Sequence, residues 1–536
     1  MTAGREKIIR WATLALCCVI LTVCSVAVLN RKEAFFLDEY SSYGCANGTN
    51  GKIMDYQVGV AYTPEEIHQM EAATYIVPQD NRFRFDNVWK NLSNNVHPPV
   101  FYALLHLVCS LTPGMYNIWQ AAAVNLLFGL ISLIFFQKLA RALFRKEWQG
   151  ALLCLGWVCT MGLYGNIAFL RDYAAAMCAC LIAGWEVFRY LNGHRKLKDL
   201  AKIALASAFC ALSHYYCLIY LFFLCAVLCV TLMIRKEWKA VGLIVAAEAA
   251  AAGISLAVFP SMIERVLGSR RGVEATANLV KFDLALLKKR LTGFFETLST
   301  NFFGGFLLYA LILLVVLIIL SLVLRGKIKA VDENASDVAV KLADVLLLLL
   351  PAAFFAAIIV KIAPNDAIRY LYPVVAFLYL GGFAAVAYFG KNLVNKKVLA
   401  IGLALMVVLM SGFSWKNGKI RYLYQGNRQR IEENLEPIRG TDAILIWGKS
   451  TNYPSVTLPQ VDYYGSVTFL NKTGESRLAD IPALLEGKDA VILLGKDTKE
   501  AGFKDKLLEI YPEYRAVELG NLDGQNRFFN YWFHKN

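Results

Sequence analysis

The sequence of 536 residues has little charge. Only 18% of its residues are Asp, Glu, Lys or Arg, whereas 57% are hydrophobic. Soluble domains average about 25% charged and about 45–50% apolar residues, so the composition excludes an ordinary soluble globular protein. Apolar runs long enough to cross a bilayer recur as far as about residue 415. We therefore predict a polytopic α-helical membrane protein.

The chain also lacks the cysteine and histidine patterns of zinc sites and disulfide frameworks. It has 13 Cys and six His, most Cys lie inside apolar runs, and no CxxC pairs with another CxxC. Buried Cys acts as a small hydrophobic residue. The net charge of +14 does not indicate nucleic-acid binding, because the basic residues fall mainly in short loops between apolar runs. That distribution fits membrane topology and anionic lipid.

Eleven apolar runs predict spanning helices, because in lipid only a helix satisfies its own backbone hydrogen bonds. They lie near residues 11–30, 117–137, 149–168, 173–191, 199–215, 217–234, 239–259, 302–324, 342–360, 371–390 and 398–415. The first run has no small-residue cleavage site after it, so we interpret it as an uncleaved span rather than a signal peptide.

Every second loop between the predicted spans is rich in Lys and Arg, and this pattern predicts which loops face the cytoplasm. The basic residues are Arg5, Lys7, Arg10, Lys138, Arg141, Arg145, Lys146, Arg189, Arg195, Lys196, Lys198, Arg235, Lys236, Lys239, Arg325, Lys327, Lys329, Lys391, Lys396 and Lys397. Short loops rich in Lys and Arg remain cytoplasmic. The chain is therefore predicted to be a multi-pass cell-membrane protein with a cytoplasmic N-terminus and an extracytoplasmic C-terminal domain.

Two regions are predicted, a transmembrane domain over 1–415 and a small soluble α/β domain over 416–536. Within the first, residues 31–97 form a long outer loop, and the short apolar stretch 98–112 is predicted to lie at the interface. In the second, "DAILIWG" (442–448) and "DAVILLG" (489–495) are typical of buried strands. The segments "LADIPALLEG" (478–487) and "FKDKLLEIYPEY" (503–514) are typical of amphipathic helices.

Five polar and aromatic segments fall on the predicted outer face. They are Asp38–Glu39, residues 94–106, 169–176, 213–216 and 363–373. Their coincidence on one face predicts a cavity at the outer membrane surface, walled by helix ends. A carboxylate there can act as general base on an acceptor hydroxyl. Arginines at helix ends can bind phosphate and stabilise its developing charge.

These segments resemble the GT-C superfold of membrane glycosyltransferases, specifically the family 39 or dolichyl-phosphate-mannose protein mannosyltransferase-like group, with lipid A aminoarabinose transferase as a more distant relative. The resemblance spans residues 8–415 and rests on "LDE" (37–39), "HPPVFYALLH" (97–106), "LRDYAAA" (170–176), "SHYY" (213–216) and "RYLYPV" (369–374). The C-terminal domain does not match the best-known members. The acceptor therefore does not follow from the resemblance.

The resemblance implies transfer of a hexosyl or pentosyl group from a polyprenyl-phosphate donor to an envelope glycan, lipid or protein, on the outer face. It places the catalytic base at Asp38, with Glu39 as a supporting contact. We expect inversion by direct displacement. The predicted substrate-binding residues are His97, Arg171, His214, Tyr215, Arg369 and Tyr370. We predict no metal and no other cofactor, although some GT-C enzymes hold a divalent cation.

Structural alternatives stay open for each residue. Asp38 could be an ordinary interfacial charge, Arg171 could snorkel to the interface, and Tyr215 could belong to an aromatic belt. The rival function is a transporter or flippase of lipid-linked saccharide, but the polar residues lie at one face rather than the midplane. A non-catalytic assembly partner is a third hypothesis. Acceptor recognition is our hypothesis for 416–536.

Overall fold

The computed structural model describes residues 3–49, 51–144, 146–281, 283–324, 339–448, 453–471, 481–500 and 502–535. The predicted cytoplasmic residues Arg145, Arg325, Lys327 and Lys329 lie outside these ranges. The chain divides into two compact units, which are described separately below. The first contains Met1–Ala27, Leu92–Phe101 and Ala122–Ile420, and the second contains Val28–Asn91, Tyr102–Ala121 and Arg421–Asn536.

Most of the described chain is helical. The helices up to the last apolar run are α1 (Ala3–Leu29), α2 (Leu37–Asn47), α3 (Pro64–Tyr75), α4 (Phe85–Ser93), α5 (Val100–Leu111), α6 (Ile118–Leu143), α7 (Glu147–Val158), α8 (Met161–Ala168), α9 (Tyr173–Leu191), α10 (Leu197–Ser213), α11 (Cys217–Ile234), α12 (Trp238–Val258), α13 (Arg270–Val280), α14 (Leu284–Phe303), α15 (Leu307–Val323), α16 (Leu342–Ile362), α17 (Tyr372–Gly390) and α18 (Lys396–Asn417). The later helices are α19 (Asn427–Leu435), α20 (Pro482–Leu485), α21 (Lys496–Glu500) and α22 (Phe503–Ile510).

Within the described residues, eight helices are long and apolar enough to cross a membrane. The count rises to ten if the bent pairs α7–α8 (54°) and α14–α15 (89°) each form one span. The polytopic helical fold is therefore confirmed. The eleventh predicted span corresponds to α10. Its 17 residues rise only about 25 Å, which is less than the roughly 30 Å thickness of a hydrocarbon core.

The sharp bend between α14 and α15 has a local cause in two glycines. Gly304 and Gly305 have φ values of 62° and 95°, which residues with a side chain rarely adopt. A Cβ on Gly304 would also lie 2.6 Å from the carbonyl oxygen of Met410. The pair therefore lets the chain turn while it packs closely on α18.

Helices α9 and α17 form the buried centre of the first unit. Small residues on α9 allow close helix packing, as at Gly184, where an added Cβ would lie 2.5 Å from the ring of Phe377. Burial holds both helices at fixed positions. The residues that precede them, Asp172 before α9 and the 3-10 turn Ile368–Leu371 before α17, are positioned by this packing.

The second unit contains a mixed six-stranded sheet of order β1-β3-β2-β4-β6-β5. Its strands are β1 (Ala61–Tyr62), β2 (Asp442–Trp447), β3 (Val467–Asn471), β4 (Ala490–Gly495), β5 (Tyr514–Gly520) and β6 (Phe528–Lys535). Strand β2 runs parallel to β3 and β4, and the other pairs are antiparallel. The predicted α/β domain is confirmed, and its two predicted strands are β2 and β4.

The second unit also includes most of the predicted first outer loop. Edge strand β1 pairs with β3, and the Glu33 carboxylate accepts hydrogen bonds from the backbone N–H groups of Gly426 and Arg428, at 3.1 and 3.0 Å. The compact units thus differ from the predicted division at residue 415. The segment predicted as a loop carries helices α2, α3 and α4, and the apolar stretch 98–112 is helix α5.

Candidate active site

Five of the predicted substrate-binding residues come together in the first unit. We call this set, with one further carboxylate, the arginine–histidine cluster; it contains His97, Arg171, Asp172, His214, Arg369 and Tyr370. The residues lie where helices begin or end: Arg171 and Asp172 directly precede α9, and His214 directly follows α10. Pro98 disfavours helical backbone at His97. The cluster is thus built from segments between helices.

His97 links an arginine to a carboxylate. Arg171 Nη2 lies 2.7 Å from His97 Nε2, and His97 Nδ1 lies 3.1 Å from Asp172 Oδ2. A guanidinium can only donate hydrogen bonds, so Nε2 accepts from it. The neutral ring then carries its proton on Nδ1 and donates it to Asp172. The partners therefore set the tautomer of His97.

Asp172 is fully buried, and its side chain makes no capping hydrogen bond to α9. Its Oδ1 has no hydrogen-bond partner among the residues that the structure describes. Burial alone would raise the pKa of this carboxyl, but His97, His214 and Arg171 outweigh burial and hold the pKa below its usual range. Asp172 is therefore an ionised carboxylate at neutral pH.

His214 is the second buried imidazole of the cluster. Its Nδ1 accepts a hydrogen bond from the backbone N–H of Tyr216 at 3.1 Å. The ring centroid of His214 lies 6.3 Å from that of His97 and 5.0 Å from that of Tyr173. Burial lowers the pKa of His214 to about 4, against the opposing effect of the Asp172 carboxylate. The neutral form of His214 is therefore favoured at pH 7, where Arg171 and the hydrogen bond from His97 stabilise the Asp172 carboxylate.

Arg369 supplies a second buried guanidinium. Its Nη2 donates to the hydroxyl of Tyr370 at 3.2 Å, and its Cζ lies 5.3 Å from the ring centroid of Phe169. The Phe169 ring is 5.7 Å from that of Tyr173, which is in turn 6.2 Å from Tyr370. Aromatic faces hold the planar guanidinium by cation–π contact. This aromatic wall connects Arg369 to the two histidines.

Three members of the cluster could hold a metal ion. One ligand atom each from His97, Asp172 and His214 lie within 4.8 Å of one another. Imidazole and carboxylate are suitable ligands for zinc. The hydrogen bonds from Arg171 and from the Tyr216 backbone N–H compete with coordination, because each occupies an imidazole lone pair.

An apolar cavity of about 600 Å³ lies along α10, α11 and α12. Its walls include Ala211, Leu218 and Phe222. Among the described lining residues only Glu248 is acidic, and its Oε1 accepts from the hydroxyl of Ser207 at 2.9 Å. Helix α11 begins three residues after His214. The same helix thus starts beside the polar cluster and lines the apolar cavity in its following turns.

The two predicted catalytic carboxylates lie on α2 in the second unit. Glu39 is fully buried and forms an ion pair with Lys32, with 2.9 Å between Nζ and Oε2. Glu39 Oε2 also accepts a hydrogen bond from the backbone N–H of Phe36 at 2.7 Å. Asp38 is half-buried. Glu39 therefore has a structural partner, while the role of Asp38 stays a prediction.

The structure also brings in residues that sequence reasoning passed over. The ring of Tyr216 packs at a tilt near the cluster, 5.1 Å from His214 and 6.1 Å from Tyr370. The hydroxyl of Tyr215 is buried without a hydrogen-bond partner in the described part of the chain. Asp172 and Tyr173 also belong to the site. In the sequence, Asp172 could have been selected because it forms a charged pair with Arg171 directly before an Ala-rich apolar segment.

No family model and no curated protein matches the sequence. Among solved structures, the chain is similar to ArnT from Cupriavidus metallidurans, in the apo state (12% identity, TM-score 0.49) and bound to undecaprenyl phosphate (12% identity, TM-score 0.46). Each match covers 99% of this chain and 98% of that one. It is also similar to the oligosaccharyltransferase AglB from Archaeoglobus fulgidus in complex with an inhibitory peptide and a dolichol-phosphate (9% identity, 95% of this chain and 72% of that one, TM-score 0.42).

Proposed function

We propose that this chain is a membrane glycosyltransferase that moves a sugar from a polyprenyl-phosphate donor to an envelope glycan, lipid or protein on the outer face. The observation that carries the proposal is the buried arginine–histidine cluster at the start of α11, a helix whose later turns line an apolar cavity of about 600 Å³. An amphiphile with a phosphate head and a hydrocarbon tail matches both parts.

The charge of the cluster supports a phosphate ligand. Two guanidinium groups, Arg171 and Arg369, accompany the single carboxylate of Asp172, so the named groups carry excess positive charge. Helices α9, α11 and α17 all begin at this cluster, at Tyr173, Cys217 and Tyr372. Helix N-termini carry partial positive charge, which adds to that of the arginines. Negative charge that develops on a departing phosphate would be stabilised here.

The cavity supports a lipid as the carrier of that phosphate. The residues that line the cavity are almost entirely apolar. Those contributed by α11 lie in the turns that follow its start at the polar cluster, and α11 itself is a strongly apolar helix. A hydrocarbon chain bound in this cavity would contact apolar side chains in place of the lipid tails of the bilayer, so no polar group would need to be desolvated for it. We propose that the polyprenyl tail lies along α10, α11 and α12, while its phosphate lies against Arg171 and His97.

In the proposed reaction Asp38 is the general base. Its carboxylate takes the proton of an acceptor hydroxyl, and the hydroxyl oxygen forms a bond to the anomeric carbon of the sugar. The bond from that carbon to the phosphate oxygen breaks, and the electron pair leaves with the lipid phosphate. Direct displacement inverts the anomeric centre. The ion pair with Lys32 would hold Glu39, and with it the first turn of α2, in a fixed orientation.

Sugar transfer by the purified protein in detergent tests the proposal. Radiolabelled polyprenyl-phosphate sugars and an envelope extract supply donor and acceptor. We expect Asp38→Asn, Arg171→Gln and Arg369→Gln to lose transfer. The matched control is Arg290→Gln, because Arg290 is equally buried but donates to the backbone carbonyl of Lys361 at 2.7 Å.

Two results would contradict the proposal. If folded Asp38→Asn transfers sugar normally, Asp38 is only an interfacial charge. If the parent binds the donor and moves it across vesicles without any transfer, the chain is a transporter or flippase of lipid-linked saccharide.

A further inference from the structure

We propose that Asn125 is a positioning residue of the site, whose side-chain amide holds open the break between α8 and α9 and thereby places the Arg171 guanidinium. The inference rests on the proposed function and deepens it. It identifies what positions a phosphate-binding arginine, and it finds that group on α6, a helix that contributes no member of the arginine–histidine cluster.

The segment between α8 and α9 departs from helical hydrogen bonding just where Arg171 lies. In a continuous helix, the backbone N–H of Arg171 would donate to the carbonyl of Ile167, four residues earlier. It donates instead to the carbonyl of Phe169 at 2.7 Å, which closes a tight turn around Leu170. The carbonyl of Ile167 thereby loses its helical donor, in a segment whose side chains are buried.

Asn125 supplies the donors that this break removes. Its side chain is fully buried, and its Nδ2 donates to the carbonyls of Ile167 and Phe169, at 3.1 and 2.8 Å. The amide nitrogen has two N–H groups, so it can satisfy both carbonyls at once. The Oδ1 of Asn125 has no hydrogen-bond partner among the described residues. Buried backbone carbonyls are almost always hydrogen-bonded, so these two bonds stabilise the break.

The turn that the amide holds is connected to both guanidinium groups of the site. Arg171 directly follows the turn, and its Nη2 lies 2.7 Å from His97 Nε2. Phe169 lies within the turn, and its ring centroid is 5.3 Å from the Cζ atom of Arg369. A displacement of the turn would therefore move Arg171 itself and one of the rings that contact Arg369.

A continuous helix is the competing structure for this segment. If α8 ran on into α9, the N–H groups four residues later would donate to the carbonyls of Ile167 and Phe169. The backbone would then need no amide from α6, but Arg171 would take helical backbone and its guanidinium would leave the cluster. Asn125 favours the broken structure because it donates to the same two carbonyls.

The test is sugar transfer by Asn125→Leu, which keeps a branched side chain and removes both donors. Radiolabelled polyprenyl-phosphate sugar is the donor, and the full-length protein is assayed in detergent. A misplacement of about 1 Å can cost about 100-fold in rate, so we expect kcat to fall by about that factor. KM for the donor should change less than about threefold, because the tail is bound alike in the ground state and the transition state.

Asn192 provides the matched control. Its Nδ2 donates to the carbonyl of Phe188 at 3.0 Å, at the other end of α9, so Asn192→Leu should keep the kcat of the parent. Thermal melting of both variants separates a loss of stability from a loss of rate in the folded protein. If Asn125→Leu does not fold, Asn125→Ser replaces it. One hydroxyl can donate to only one of the two carbonyls, so kcat should then fall about tenfold.

A second background shows whether Asn125 acts through the guanidinium of Arg171. Arg171→Lys keeps a positive charge on a flexible stem, which depends less on the position of the backbone than a planar guanidinium does. Adding Asn125→Leu to Arg171→Lys should therefore lower kcat by less than about tenfold, against about 100-fold in the parent. A residue that only stabilised the fold would lower kcat by the same factor in both backgrounds.

The outcomes separate the inference from the proposed function. Folded Asn125→Leu or Asn125→Ser with the kcat of the parent overturns the inference, whether or not KM changes, and leaves the proposed function intact. Equal losses of kcat in the parent and in Arg171→Lys overturn it as well. If the parent transfers no sugar from any polyprenyl-phosphate donor, the proposed function is overturned and the inference with it.

Discussion

The ion pair between Lys32 and Glu39 allows a quantitative prediction. Both side chains have 0% exposure, and their charged atoms lie 2.9 Å apart. In the variant Glu39→Gln, the amide oxygen can still accept from the Phe36 backbone N–H, so mainly the charge is lost. Removing one partner of a buried pair costs about 3–5 kcal/mol, because the other charge stays buried.

Lys32 itself limits that cost. Burial lowers the pKa of Lys32, and the carboxylate of Glu39 acts against this shift. Without the carboxylate, Lys32 can lose its proton in the folded state. Deprotonation from an ordinary pKa of about 10.4 costs about 4.6 kcal/mol at pH 7 and about 1.9 kcal/mol at pH 9. The uncompensated charge of Lys32 therefore contributes at most those amounts to the destabilisation of Glu39→Gln, and this contribution shrinks as pH rises, since the unfolded chain binds the extra proton.

Thermal melting in detergent from pH 7 to 9, with sugar transfer measured on the folded protein, checks this prediction. The double variant Lys32→Met/Glu39→Gln should recover most of the lost stability. The exposed pair of Lys504 and Asp505 serves as control, and Asp505→Asn should change stability by less than about 1 kcal/mol. If Glu39→Gln melts like the parent but loses transfer, our reasoning is refuted and Glu39 acts in the chemistry.

Three further predictions concern the first unit. Burial lowers the pKa of His214 to about 4 in the folded protein, whereas in the unfolded chain the imidazole takes up a proton near pH 6.5. The free energy of unfolding should therefore fall by about 1.2 kcal/mol from pH 7 to 5.5, and melting curves of His214→Gln should lack this loss. Ala252→Trp places a large ring in the apolar cavity from exposed α12, and should raise KM for long-chain donors at least about tenfold while short-chain donors change less. Gly304→Ala should cost about 1–3 kcal/mol through its positive φ and its contact with the Met410 carbonyl, whereas Gly412→Ala, with open space around it, should not destabilise.

Helical periodicity and apolar length are local properties, and these predicted correctly where most helices lie. The predicted run at 199–215 is helix α10, but its 17 residues are short for a span, and Lys198, Asp199 and Lys202 lie in its first turns, where the Asp199 carboxylate accepts a hydrogen bond from the Lys196 backbone N–H. Strand β1 was not predictable, because two residues become a strand only by pairing with β3 across 400 residues of chain.

The candidate site shows the same limit. His97, Arg171 and His214 could be chosen from the sequence because charged and imidazole groups are rare beside apolar helices. The choice between Tyr215 and Tyr216 could not, because it depends on how the chain turns from α10 into α11. The role of Asp172 depends on the orientation of a ring 75 residues away in the chain.

Asp172 separates two physical accounts of the cluster. If the site attracts phosphate only by its total charge, Asp172 competes with the ligand for Arg171 and for the N-terminus of α9, and Asp172→Asn should bind phosphate more tightly. If Asp172 instead holds His97 in position, and His97 in turn orients Arg171, the same change should weaken binding, because the hydrogen bonds that orient the guanidinium are lost. The direction of the affinity change therefore distinguishes the accounts. Because His97→Gln breaks the same chain of hydrogen bonds, its effect on affinity should largely absorb that of Asp172→Asn in the double variant.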